Sequence, residues 1–353
     1  MGDYKNSNIL QGPLEYNPSL DSLRFICVLG VILCHWGPNS LVNPIGNHIL
    51  QLFHGGMTYV DIFFVLSGYL ITYGLLVQKN DSSYTFKQSI KLFYIKRTFR
   101  IFPIYYLLIL VLYICNYTQI RQYIFYFITY TTNILVYRKQ AWNSFSHTWS
   151  LCVEEQFYLI WPFVILLSPK KYLKQVLIFC IVSSISIFIY KARFGVFSMF
   201  LLPSSLFTLA MGGLLAYLKY FHPELMIQKL FYIKAVFFAV LFYHFFHDQF
   251  NNKLFITIDQ YYKIVTSIIG FCIVYILIEN PKKLSLKWLS YLGKISYGIF
   301  LYHYVILDTN FTIFNDYPIL NYSIRFVILI LVSIISYEFY EKKAIYFSKK
   351  IIV

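Results

Sequence analysis

Apolar residues run along this chain in continuous blocks rather than in alternation, and ten such blocks lie between residues 20 and 341. They cover about 20–37, 59–78, 99–117, 148–168, 173–190, 200–219, 231–247, 261–279, 288–307 and 322–341. Each holds ~17–21 residues, enough as a helix rising ~1.5 Å per residue to cross ~30 Å of hydrocarbon. Barrel strands would alternate inward and outward residues, and these blocks do not. The pattern predicts an all-α polytopic membrane protein with about ten transmembrane helices. One further stretch, 120–137 (IRQYIFYFITYTTNILVY), has the aromatic content of a membrane-surface helix and the length of an eleventh span.

Charge decides between those two readings. The 353 residues are 58% hydrophobic and 13% charged, with mean hydropathy +0.59, far more apolar than a water-soluble core requires. Thirty Lys and Arg outnumber 15 Asp and Glu, for a net charge of +15. In a water-soluble chain that excess would suggest nucleic acid. In a multi-spanning one it follows from the retention of basic residues in cytoplasmic loops, and no nucleic-acid partner is expected. With ten spans and the N-terminus inside, 22 Lys and Arg fall on the cytoplasmic side. Seven fall outside (Arg121, Arg138, Lys139, Lys191, Arg193, Lys253 and Lys263), and Arg325 lies just within the last span. An eleventh span at 120–137 would turn the basic clusters at 170–174, 282–287 and 342–350 outward, so it is rejected.

The expected organisation is a cytoplasmic segment 1–19, a transmembrane domain 20–341 and a basic cytoplasmic tail 342–353, with both termini inside. No cleavable signal peptide is expected, because the first 19 residues are polar and no small-residue cleavage site follows the first apolar block. The six cysteines form neither a CxxC nor a metal-binding spacing, which predicts buried thiols and no metal.

Ionisable residues inside the blocks carry the candidate chemistry. "SLRFICVLGVILCHW" (22–36) holds Arg24 near the inner end of the first span and His35 near its outer end. Eleven positions at ~100° each come to three turns plus ~20°, so both occupy one helix face about 16 Å apart. Taken alone, the pair also fits a snorkelling arginine and an interfacial histidine. In "IKRTFRIFPIYY" (95–106), Arg97 and Arg100 are one turn apart, a spacing that grips phosphate or simply marks a cytoplasmic loop. "HTWSLCVEEQFYLIWPF" (147–163) puts His147, Glu154 and Glu155 at the outer end of the fourth span, where adjacent carboxylates require a polar cavity. His303 lies at least mid-depth in the ninth span, as a substrate-side candidate or an interior hydrogen-bonding residue. Glu338 and Glu341 lie at the cytoplasmic end of the last span, where Glu341 is expected to pair with the adjacent Lys342 and Lys343.

Six segments in order carry a family resemblance. They are Arg24 with His35, "FFVLSGYL" (63–70), "RTFRIFP" (97–103), "WSLCVEEQFYLIWP" (149–162), "LGKISYGIFLYH" (292–303) and "YEFYEKK" (337–343). Together, over about residues 19–347, the chain resembles the membrane-bound acyltransferase-3 family of bacterial O-acyltransferases. The resemblance implies a multi-pass protein of the bacterial cytoplasmic membrane. Such a protein takes an acyl group, usually acetyl, from cytoplasmic acetyl-CoA. It delivers the group to a hydroxyl of an outer glycan: O-antigen of lipopolysaccharide, capsule, exopolysaccharide or peptidoglycan. By motif match Arg24 and His35 are the essential pair, Arg97 and Arg100 contact the coenzyme's phosphates, and Glu154 belongs to the fourth-span block. His147, Glu155 and His303 remain candidates on the substrate side. No prosthetic group is implied, and a homo-oligomer is compatible with the reading. Cys152 stands where a small residue such as Ser is common, the stretch 197–213 lacks an arginine many members carry, and no appended SGNH-type hydrolase domain is expected.

Acyl transfer from a thioester needs a base for the incoming hydroxyl, charge stabilisation and alignment. Histidine suits the first role, as general base or as a transient acyl carrier. Glu154 or a nearby backbone carbonyl is expected to fix the His35 tautomer, and Arg24, Arg97 and Arg100 to hold the CoA phosphates. The rival reading is a proton- or anion-coupled secondary transporter using the same His, Arg and Glu residues. It predicts Gly/Pro-broken helices in two related halves, and no internal repeat is present. A passive scaffold within a polysaccharide assembly complex is a third reading, and it leaves His35 and the outer carboxylates without a role.

Overall fold

The computed structural model describes residues 15–36, 56–117, 120–142, 145–191, 195–246, 258–308 and 318–352. All the described regular structure is helical. In chain order the helices are α1 (Pro18–Trp36), α2 (Gly56–Asn80), α3 (Phe86–Ile114), α4 (Ile124–Ile128), α5 (Thr132–Lys139), α6 (Trp149–Leu167) and α7 (Leu173–Lys191). There follow α8 (Leu202–Phe221), α9 (Pro223–Phe246), α10 (Ile258–Glu279), α11 (Lys287–Lys294), α12 (Ser296–Asp308), α13 (Pro318–Ser336) and α14 (Lys342–Ile352). A π-helical turn, Tyr337–Glu341, joins the last two.

Among the described residues, eight helices are long and apolar enough to cross a membrane. Two expected spans differ from that description. The block at 200–219 forms α8, which buries Ser204, Ser205 and Thr208 and is not one of those eight. The block at 288–307 is not one helix: the chain breaks at Ile295, between the short amphipathic α11 and α12. The 120–137 stretch forms only the five-residue α4 and eight-residue α5, with Tyr130 in the left-handed region between them. Neither is long enough to span hydrocarbon.

The third span starts earlier than its apolar block. Thr85 and Gln88 form a reciprocal capping box, with Gln88 N donating to Thr85 Oγ1 at 3.3 Å and Thr85 N to Gln88 Oε1 at 2.8 Å. That cap begins α3 at Phe86, so Arg97 and Arg100 sit inside a 29-residue helix and not in a loop. The basic tail likewise is helical: Lys342 and Lys343 open α14, which packs along α3 with Phe347 against Phe99. Residues 1–14, Arg193 and Lys253 lie outside the described residues.

α2 runs through the middle of the bundle and packs on α1, α6, α8 and α10. Its approach to α8 is set by two glycines facing opposite backbones. A Cβ on Gly68 would lie 1.9 Å from the Leu209 carbonyl oxygen, and one on Gly212 would lie 2.0 Å from that of Val65. Neither position admits any side chain, and the contact is the small-residue packing that holds helices together where lipid removes the hydrophobic driving force. On the outside, large apolar side chains such as Phe179, Phe231 and Phe238 are exposed, as lipid contact requires.

The start of α1 is tied to the segment after α10, with Ser19 Oγ donating to the Pro281 carbonyl at 2.6 Å and Asn17 Nδ2 to that of Leu277 at 3.0 Å. Tyr291 of α11 in turn donates to Glu338 at 3.2 Å. Arg24, Lys282, Lys283 and Lys342 therefore gather toward one end of the bundle. Lys79 closes the end of α6 by donating to the otherwise unpaired carbonyls of Ile165 (2.7 Å), Leu166 (3.0 Å) and Ser168.

One residue of the loop-charge pattern is corrected. Lys263, counted among the outer charges, is buried on α10 and faces Asp61 of α2, Nζ to Oδ1 3.4 Å. Thr266 donates to Asp61 Oδ2 at 2.6 Å and Lys263 to Ser205 Oγ at 3.2 Å, so both charges have polar neighbours inside the bundle. Removing one partner strands the other, which costs about 3–5 kcal/mol, whereas removing both charges does not. Lys263→Met should therefore lower the thermal unfolding midpoint in detergent, and Asp61→Asn with Lys263→Met should restore most of the loss. A double variant as unstable as the single would contradict this account.

Candidate active site

The face of α1 predicted to carry Arg24 and His35 does so. Arg24, Cys27, Val28 and Val31 line one cavity, and Val31 and His35 line a second, so one stripe at i, i+3, i+4, i+7 and i+11 borders both. The first cavity is also lined by Arg97 and Arg100 of α3, Ser67 of α2, and Glu154 and Tyr158 of α6. Three guanidiniums thus face one space. Arg24 is paired with Asp21 at 2.5 Å, a bond within its own helix. Arg97 lies over the rings of Tyr158 (5.5 Å) and Phe93 (6.0 Å), and neither it nor Arg100 has a described carboxylate within ion-pair distance. Like charges held this closely favour a polyanion in the space between them, and guanidinium is the group whose planar fork matches phosphate.

The second cavity is lined by His35, Gly56, Met57, Trp142, Ser146, His147, Trp149 and Tyr304, among others. Here the three predicted histidines come together. His35 Nδ1 lies 2.9 Å from His303 Nε2, and His303 Nδ1 lies 2.5 Å from the Phe300 carbonyl oxygen. The carbonyl can only accept, so His303 carries its proton on Nδ1. The neutral His303 then accepts at Nε2, which assigns the proton of His35 to Nδ1 and leaves His35 Nε2 with a lone pair. His147 stacks on Tyr304 at 5.1 Å and stands edge-on to His303 at 4.7 Å. Both its ring nitrogens are buried without a well-formed hydrogen bond. His35 and His303 stack while His147 stands edge-on to His303, and among the described residues no group of three or more His, Cys, Asp or Glu is placed to hold a metal ion.

The carboxylates fall elsewhere than the sequence suggested. Glu154 lines the arginine cavity, within reach of Ser67 and Tyr158, and is separated from His35. The tautomer of His35 is set by a histidine and, through it, by a backbone carbonyl. Glu155 lines neither cavity; it is surrounded by Tyr105, Tyr106, Tyr130 and Tyr297, and its Oε1 has no partner. Glu338, not Glu341, pairs with Lys342, at 2.8 Å, and Glu341 joins no lysine among the described residues. The π-helical turn carries it inward, where it accepts from Ser336 Oγ at 2.9 Å and lies close to Gly298, with Arg100 the cation whose charge reaches it. An apolar period cannot reveal a π turn, and a histidine pair 268 residues apart leaves no local signal.

The two cavities share four lining residues, Val31, Val60, Ser150 and Phe300, contributed by α1, α2, α6 and α12. Three arginines line one cavity and His35 the other, with these four residues common to both.

The relative named "Putative O-acetyltransferase SAS0844" of Staphylococcus aureus (strain MSSA476) is 30% identical over 366 residues, 93% of this chain and 57% of its own length. O-acetyltransferase OatA of Staphylococcus aureus (strain NCTC 8325 / PS 47) is 29% identical over 388 residues, 96% of this chain and 58% of its own. The chain thus spans somewhat more than half the length of these relatives. No solved structure matches it. A family model described as an acyltransferase domain matches residues 17–338, nearly the whole chain, which therefore belongs to the membrane-bound acyltransferase-3 family.

Proposed function

We propose that the protein transfers an acetyl group from cytoplasmic acetyl-CoA, across the cytoplasmic membrane of a bacterium, to a hydroxyl of a cell-surface glycan. The observation that carries this reading is the pair of adjoining cavities bordered by one face of α1, with arginines in one and His35 in the other. The named activity of the relatives, O-acetyl transfer, agrees with it.

In this reading Arg24, Arg97 and Arg100 hold the phosphates of the donor, and its arm extends along α1 toward the wall. The glycan hydroxyl enters from the His35 side. His35 Nε2 takes the hydroxyl proton as the oxygen attacks the thioester carbonyl. The tetrahedral intermediate collapses with cleavage of the C–S bond. The thiolate recovers the proton from the His35 imidazolium, giving the ester and free CoA. Throughout, His303 Nε2 accepts from His35 Nδ1, so the imidazolium is stabilised without a carboxylate. His147 packs the Tyr304 side of this pair and bounds the acceptor space.

Three measurements test the reading. His35→Ala should lower transfer of labelled acetyl from acetyl-CoA to cell glycans about 10²–10⁴-fold at unchanged protein level, the range for loss of a general base. Undiminished ester-linked acetyl, read by mass spectrometry and NMR, would reject the assignment. Arg97→Lys and Arg100→Lys should raise KM for acetyl-CoA with little change in kcat, because lysine keeps the charge and loses the fork. The same variants should leave the rate with S-acetyl-pantetheine, which lacks the nucleotide phosphates, unaltered. Equal effects on both donors would remove the phosphate role.

A further inference from the structure

Val31, Val60, Ser150 and Phe300 belong to both cavities, and each comes from a different helix. Whatever passes between the arginines and His35 passes among these four side chains. Their chemistry is specific: two small branched aliphatic groups, one phenyl ring and one hydroxyl. None carries a charge, and the Ser150 hydroxyl points back to the His147 carbonyl at 3.5 Å.

The wall is held from the His35 side. The Phe300 ring lies 5.5 Å from both His147 and His303, and the Phe300 carbonyl receives the His303 proton. Val31 is one turn before His35 on the same face of α1. Phe300 therefore cannot swing far without disturbing the histidine pair, and Val31 cannot move without moving His35. The opening is fixed by the same residues that orient the base.

We propose that this four-residue wall selects the acyl group by length and charge, admitting a short uncharged acyl group, acetyl above all, and excluding butyryl and longer chains and the carboxylate-bearing succinyl group. The proposal rests on the acyltransferase reading above. The nucleotide part of the donor stays with the arginines, since its phosphates have no cationic partner among the wall residues. Only the acyl end reaches the plane of Phe300. An extra methylene in a fitted apolar passage is worth roughly 10–200-fold in rate. A terminal carboxylate would have to lose its water against Val31, Val60 and Phe300 with no cation to meet it, which costs more than a methylene does.

The test is competition between donors on one preparation. Membranes containing the full chain are given acetyl-, propionyl-, butyryl-, hexanoyl- or succinyl-CoA, and the esters formed on glycan are identified by mass. The unaltered protein should use acetyl-CoA at least about tenfold faster than butyryl-CoA and form no succinyl ester. Phe300→Ala and Val60→Ala should bring butyryl to within about threefold of acetyl, and neither should admit succinyl. Val60→Phe should block even acetyl transfer while labelled acetyl-CoA is still retained by the protein. Ratios between donors do not depend on how much of a variant is folded, so poor expression cannot imitate the effect. Unchanged ratios in both enlarged variants, or equal use of acetyl and butyryl by the unaltered protein, would overturn the proposal and leave the acyltransferase reading standing. Failure to consume any acyl-CoA would overturn both.

Discussion

Three guanidiniums sharing one cavity inside an apolar bundle form the constraint around which this structure is arranged. Arg24, Arg97 and Arg100 repel one another, and lipid offers no water to screen them. The protein distributes the compensation. Asp21 pairs with Arg24, the rings of Tyr158 and Phe93 lie under Arg97, and Glu154 and Glu341 stand within electrostatic reach without closing an ion pair. A fully neutralised cluster would be inert. This one is left open toward a shared space, which suits a transient polyanion better than a structural counter-ion.

Holding such a cavity open requires rigidity elsewhere. The glycine contact between α2 and α8 brings two backbones together and fixes the central helix that forms one cavity wall. The Asp61–Lys263 pair, about 100° around α2 from Val60, ties that helix to α10. Buried polar groups are therefore used in two ways. At Asp61 and Lys263 they are satisfied by one another, and at the arginines they remain available to a ligand.

Much of this was legible in the sequence, for identifiable reasons. Apolar block length gives the helices, because lipid admits no other backbone arrangement for such runs. The angular phase of Arg24 and His35 follows from 3.6 residues per turn and survives folding, since α1 is one uninterrupted helix. Pattern reading failed where local geometry or distant partners decide. The Thr85 cap extends α3 past its apolar block, the break at Ile295 divides a run that hydropathy leaves whole, and Lys263 reads as a loop charge until Asp61 is placed beside it. The position of Glu154 at the arginines and the pairing of His35 with His303 depend on how α6 and α12 pack on α1, which a single chain does not state.

The histidine pair also accounts for an economy in the upper cavity. A base oriented by a carboxylate would bring a negative charge to the side where the tetrahedral oxyanion forms, beneath a wall that carries no cation. A neutral imidazole backed by a second imidazole and a carbonyl orients the base equally well and adds no net charge there. In the proposed reaction the positive charge that appears on that side is the imidazolium of His35 itself, generated as the oxyanion develops beside it. On that proposal the separation of arginines from histidines reserves fixed positive charge for the donor's phosphates and transient positive charge for the reacting atoms.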